Sequence, residues 1–179
     1  MLRVTVPDIE QWDENNQEFI YVKGQTLQLE HSLVSLSKWE SKWCKPFLTK
    51  DIKTEEETLD YIKCMTITQN VRPDIYKFMP TNILEEIKRY IDAPMTATWF
   101  NDKGGKTSSE QITSELIYYQ MISLNIPMEC EKWHLNRLLT LIKVCSVKNQ
   151  PSKKMSNNAI LKQQAALNAA RRKKLNTRG

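Results

Sequence analysis

The stretch Cys130–Cys145, "CEKWHLNRLLTLIKVC", gathers two of the chain's four cysteines, one of its two histidines and a tryptophan. One reading makes it a metal or thiol site. The other makes it the buried face of a helix, and the chain a helical protein held by packing. Leu135, Leu138, Leu139 and Ile142 recur at three- and four-residue steps, with Cys145 one step further on, which is the apolar stripe of an amphipathic helix. Cys130 and His134 are four apart and would share a face of that helix. A structural zinc needs about four ligands. Cys145 would lie ~16 Å along the axis from His134 at about 1.5 Å per residue, beyond reach of the same ion. A Cys130–His134 nucleophile would need a polarising setting and a third, orienting group, whereas a core helix needs neither. The expectation is one helix from near Pro127 to about Val147, with no metal, no cofactor and no catalytic residue.

The totals agree with a protein held by packing. The 179 residues are 40% hydrophobic, enough for one domain with a real core, and only four are glycine, which disfavours a loop-rich all-β fold. The opening "MLRVTVPDIEQ" has no apolar run of signal-peptide length. No stretch approaches the roughly 20 apolar residues of a membrane span. Cys44, Cys64, Cys130 and Cys145 form no CxxC pair and read as free thiols in a reducing compartment. The net charge of +5 hides a division: residues 1–131 carry 14 Lys/Arg against all 21 Asp/Glu, and residues 132–179 carry 12 Lys/Arg and no acid.

Along the chain, "LRVTV" and "EFIYVK" read as strands separated by a polar stretch, with "GQTLQLE" as a third short one. Leu29, Leu33, Leu36, Trp39, Trp43 and Phe47 then fall at helical steps, and Pro46 closes that helix near Lys45. Thr54 followed by Glu57 is a capping box ahead of Leu59, Ile62 and Met65. Thr81 is expected to cap a helix whose stripe is Ile83 or Leu84, Ile87 and Ile91 and which Pro94 stops. Ser108 or Ser109 is expected to start the helix of "EQITSELIYYQMISLN". The fold class is mainly α with a small N-terminal β element. A globular part over 1–147 precedes a basic linker and tail over 148–179.

"DKGGKTSS" resembles a phosphate loop, but the required first glycine would fall at position 100, where Phe100 stands, so a turn before a helix explains it. Two candidate binding features remain. Trp39, Trp43 and Phe47 form an aromatic stripe that suits either a core or the wall of a partner groove, where tryptophan concentrates binding energy. The tail, with Arg171, Arg172, Lys173 and Lys174 in "ARRKK", suits a phosphate-binding arm, a segment folding on an acidic partner, or a solvated end. It has no aromatic residue to stack on bases.

"LQLEHSLVSLSKWESKWCKPFL", "EETLDYIKCMTI", "APMTATWF", "ITSELIYYQMISLNIP" and "CEKWHLNRLLTLIKVC" follow one another in an order that resembles tail assembly chaperones of long-tailed, siphovirus-type bacteriophages, over about residues 1–175. That resemblance implies a small helical protein in the host cytoplasm. It would bind the helical, aggregation-prone tape measure protein before the tail tube polymerises, and then leave. The family has no catalytic signature, so no residue role carries over. Trp39, Trp43 and Phe47 are the expected apolar anchors, with Arg171, Arg172, Lys173 and Lys174 as a latch onto acidic patches or onto further copies of the chain. A virion structural protein of the tail or connector, and a cytosolic nucleic-acid binder acting through the basic tail, are the alternatives.

Overall fold

The computed structural model describes residues 1–14, 17–100, 111–149 and 157–175. "DKGGKTSS" and the proposed Ser108/Ser109 cap lie outside them. The fold is mainly helical with a small antiparallel β element at the N-terminus. The chain divides into two units, Met1–Ser146 and Val147–Gly179.

The β element is one long hairpin bent in the middle. Strand β1 (Leu2–Val6) pairs with β4 (Gln25–Leu29), and β2 (Ile9–Asp13) pairs with β3 (Glu18–Val22). Leu2 faces Leu29 and Ile9 faces Val22, so one register runs through both halves. The side chains do not keep one face inward, however. In β1 and β4 the buried residues are Val4, Val6, Leu27 and Leu29. Continuing their face regularly would turn Trp12 and Phe19 inward. Instead Val22 is buried, Ile9 and Ile20 are half-buried, and Trp12 and Phe19 face solvent. The reversal occurs where Pro7 and Asp8 oppose Lys23 and Gly24. Pro7 has no N–H to give the ladder. At Gly24 the opposite backbone is so close that a Cβ would meet Pro7 C at 2.6 Å and Asp8 N at 2.8 Å. The Asp8 carboxylate locks the bend by accepting the Gly24 N–H at 2.6 Å and the Tyr21 hydroxyl at 2.8 Å. The Gly24 N–H, followed by the Tyr21 hydroxyl, holds Asp8 below the usual carboxylate range.

Helix α1 (Leu33–Trp43) begins four residues later than the apolar spacing predicts. Leu29 belongs to β4, opposite Leu2. Ser32 and Ser35 exchange cap hydrogen bonds and fix the start, and Cys44 ends the helix in the left-handed region at φ 52°. Helix α2 (Glu55–Met65) has the expected Thr54/Glu57 capping box, with Glu55, Glu56 and Glu57 at the positive end of its dipole. A short α3 (Asp74–Lys77) leads to α4 (Thr81–Asp92), in which Thr81 is the first helical residue and Pro80 the cap position. Helix α5 (Ser114–Ser123) is capped by Thr113, four residues past Ser109.

The continuous helix expected through 130–147 is broken. Met128–Lys132 form a 3-10 turn, Trp133 is extended at ψ 162°, and α6 (Leu135–Asn149) starts only afterwards. Cys130 and His134 therefore do not share a helical face. The break is imposed from outside the segment: His134 forms a β-bridge with Ser32, and the Leu135 N–H donates to the His31 carbonyl at 2.7 Å.

Two apolar clusters fill the first unit. One joins the inner hairpin face to Trp39, α2, α3 and α4. The other joins Leu33 and Leu36 of α1 to Ile117 and Met121 of α5 and to Leu135, Leu138 and Ile142 of α6. Helix α1 is the shared wall, and Phe47 packs against both clusters. In the second unit, α7 (Asn157–Leu175) carries Lys162, Arg171, Arg172, Lys173 and Lys174 without an acid. Among the described residues no helix is long and apolar enough to cross a membrane.

Candidate functional site

The three aromatic residues singled out from sequence are brought together, each in a different role. Trp39 and Trp43 stack at 6.0 Å, and Phe47 meets Trp39 edge to face at 5.0 Å. Trp39 is 1% exposed and its indole N–H donates to the Glu57 carbonyl at 2.9 Å, so it belongs to the core. Trp43 is half-buried and donates to the Asp60 carboxylate at 2.9 Å. Burial pulls the Asp60 pKa up, but Lys42 and the Trp43 N–H outweigh it and hold the group below the usual carboxylate range.

Phe47 alone of the three reaches a surface cavity. It stacks on Tyr61 at 3.8 Å between ring centres, and Lys53 Nζ lies 4.6 Å from its ring. Its position is set by Glu40, a buried carboxylate that accepts the Phe47 N–H at 2.8 Å and the Ser114 N–H at 2.7 Å. One side chain of α1 thus ties the loop after α1 to the start of α5.

The cavity is a groove of about 710 Å³ between α2, α4 and the 47–53 loop. Phe47, Leu59, Ile62, Leu84, Ile87 and Ile91 give it an apolar lining, and Asp51, Glu55, Glu85 and Asp92 outnumber Lys53 and Lys88 among its charged groups. Ile62 and Ile87 also belong to the core cluster, so the groove floor is the core's own outer surface. Leu59, Leu84 and Ile91 are only half-buried and leave apolar area for a ligand to cover. A second apolar surface lies on α5, where Tyr119 and Ile122 are 66% and 65% exposed.

The two histidines meet in the interior, a contact that the separate reading of each one missed. His31 and His134 rings stand edge to face at 5.1 Å. His31 Nδ1 shares a 2.6 Å hydrogen bond with the Tyr61 hydroxyl. His134 Nε2 donates to the Tyr90 carbonyl at 3.0 Å, which leaves its Nδ1 buried with no partner among the described residues. Tyr90 in turn donates to Glu30 at 2.6 Å, and Glu30 pairs with the Met1 amino group at 2.8 Å. Burial first, and then the neighbouring His134, push the His31 pKa down to about 3; burial also lowers that of His134. Both rings are therefore neutral at pH 7. Burial raises the pKa of Cys130, keeping it a protonated thiol. This setting suits packing rather than nucleophilic attack. Among the described residues no group of three or more His, Cys, Asp or Glu is placed to hold a metal ion.

Arg172, Lys173 and Lys174 lie in the last turn of α7, where cations suit the helix dipole, with Arg171 just before it, and all four are exposed. Leu161, Leu167 and Leu175 of the same helix are exposed as well. No family model, curated protein or solved structure matches this chain.

Proposed function

We propose that the chain is a non-catalytic tail assembly chaperone of a long-tailed bacteriophage, acting in the host cytoplasm, and that its α2/α4 groove takes up helices of the tape measure protein. The observation that carries this reading is the open groove with its half-buried Leu59, Leu84 and Ile91. A groove between two helices receives the apolar stripe of a third by burying residues at i, i+3, i+4 and i+7. That is the surface an aggregation-prone helix must have covered to stay soluble. Phe47 anchors the groove, backed edge to face by Trp39, on which Trp43 stacks. The resemblance in the order of the segments supports the same reading.

Co-expression with the tape measure protein tests it. The wild-type chain should raise the partner's soluble yield and co-purify with it. The paired change Leu59→Glu and Leu84→Glu places charges at half-buried positions and should weaken the complex at least tenfold, with native helicity kept. Unchanged tape measure solubility in the presence of wild-type chain would count against the function. Presence at fixed stoichiometry in purified virions would favour a structural tail component instead.

A further inference from the structure

The outer half of the hairpin presents a second surface, independent of the groove. Trp12 pairs with Phe19 and Glu10 with Tyr21 across the β2/β3 ladder, so these four side chains share one face. Trp12, Phe19 and Tyr21 are 47%, 65% and 57% exposed. The Trp12 and Phe19 rings meet edge to face at 4.9 Å, which stiffens them into a platform. Asp8, tied to the Tyr21 hydroxyl, and Glu10 supply negative charge beside the rings. From Asp8 to Val22 the sequence contains no Lys or Arg.

Exposed rings flanked by carboxylates fit a cationic side chain. The ring faces attract Arg or Lys, and the carboxylates hold its N–H groups. The chain carries the complementary chemistry itself. Positions 171–174 are four consecutive cations on a helix, so successive side chains fan out around the axis and at least one faces any surface the helix lies against. No acid follows Glu131 to compete for them.

We propose that the Trp12/Phe19/Tyr21 face binds the Arg171–Lys174 turn of a second copy of the chain. The contact joins two different surfaces, so a pair of copies keeps one free donor on one member and one free acceptor on the other. Association is therefore head to tail, either open-ended or closing into a ring. It is also salt-sensitive, because the charges on both sides are exposed.

Sedimentation of the full chain over a concentration series reads this out. At about 50 mM salt the mean mass should rise with concentration, and at about 500 mM it should fall back toward one chain, as screening removes the attraction. Trp12→Ala with Phe19→Ala removes the acceptor; Arg171→Glu, Arg172→Glu, Lys173→Glu and Lys174→Glu together reverse the donor. Each variant alone should lose association at least tenfold while keeping the wild-type circular dichroism. Mixed in equal amounts they should form a species of two chains and no larger, because only one productive contact remains. A monomer at every concentration overturns the proposal. So does association that survives in either variant, or a mixture that stays monomeric. A monomer whose tryptophan emission shifts when its tail is reversed, with the shift lost in the Trp12→Ala background, would place the tail on its own hairpin, and overturns it too. None of these outcomes depends on whether the groove binds a tape measure protein.

Discussion

In the inner half of the hairpin Leu27 and Leu29 are fully buried, whereas in the outer half Trp12, Phe19 and Tyr21 face solvent, although one register joins both halves. Strand pairing therefore does not decide which face is inside. The bend at Pro7–Asp8 and Gly24 does, by turning the ladder over so that Val22 takes the core and the large aromatics lose it. Hydrophobicity alone would have assigned Trp12 and Phe19 to the interior. The inner half lives on burial, and the outer half keeps apolar area free for contact.

The largest expected effect comes from the inner half. Leu27→Asp puts a carboxylate at a site with 0% exposure inside an apolar cluster. The lost burial is worth about 1.5–3 kcal/mol, and the stranded polar group adds about 1–3 kcal/mol or more. The variant should lack a cooperative thermal transition; a two-state melt near that of the wild type would show that the inner half is not core.

Acid acts next, through His31, which directly follows the inner strand pair. Its folded pKa of about 3 lies below its ordinary 6.5. Between those values the unfolded chain binds the extra proton, so stability falls as pH drops from about 6.5 toward 3, by at most about 1.4 kcal/mol per pH unit. Asp8 also has a lowered pKa, but its contribution is present above its ordinary 3.8 and is lost only as pH falls below that. Denaturant midpoints from pH 7.5 to 4.5 should therefore decline before carboxylates titrate, and His31→Gln should flatten the decline. An unaltered pH profile in that variant would remove His31 as the cause.

Gly24→Ala attacks the bend itself. The new methyl would be forced against Pro7 and Asp8 backbone, a clash of the kind that costs about 1–3 kcal/mol. The drop in denaturant midpoint should be accompanied by a change in aromatic circular dichroism, as Trp12 and Phe19 shift. A midpoint equal to wild type would mean that the bend does not require glycine.

The smallest effect belongs to the outer half. Trp12→Ala should move stability by less than about 1 kcal/mol, the scale of one exposed aromatic pair. A loss as large as that of a buried tryptophan, about 3–5 kcal/mol, would mean that Trp12 is covered in the folded chain.

Local signals in the sequence located several elements. The Thr54/Glu57 box started α2, the Ile83/Ile87 spacing located α4, and "LRVTV" and "EFIYVK" became β1 and β3. Strand β2 reads as a polar connector because Ile9 and Trp12, three apart, fall on opposite faces and show no apolar alternation, while Glu10 and Gln11 between them are polar. Leu29 fits the helical stripe of α1 by spacing, and only its pairing with Leu2 moves it to a strand. The break at Trp133–His134 follows from the backbone of His31–Ser32, which no window around residue 134 contains. The groove was invisible for the same reason, since Phe47, Leu59 and Leu84 meet only after three segments pack. The aromatic stripe pointed to the right neighbourhood, but periodicity could not tell that Trp39 faces inward while Phe47 lines a cavity.

The bridge between Ser32 and His134 has a consequence for how the protein is made. Ser32 and His134, about a hundred residues apart, must both be present before that junction closes, and the chain between them carries a large closure entropy. During translation, Leu33 and Leu36 emerge long before Leu135 and Leu138, which cover them in the finished structure. The nascent chain therefore spends most of its synthesis with this flank of α1 bare, a state open to aggregation or to host folding factors.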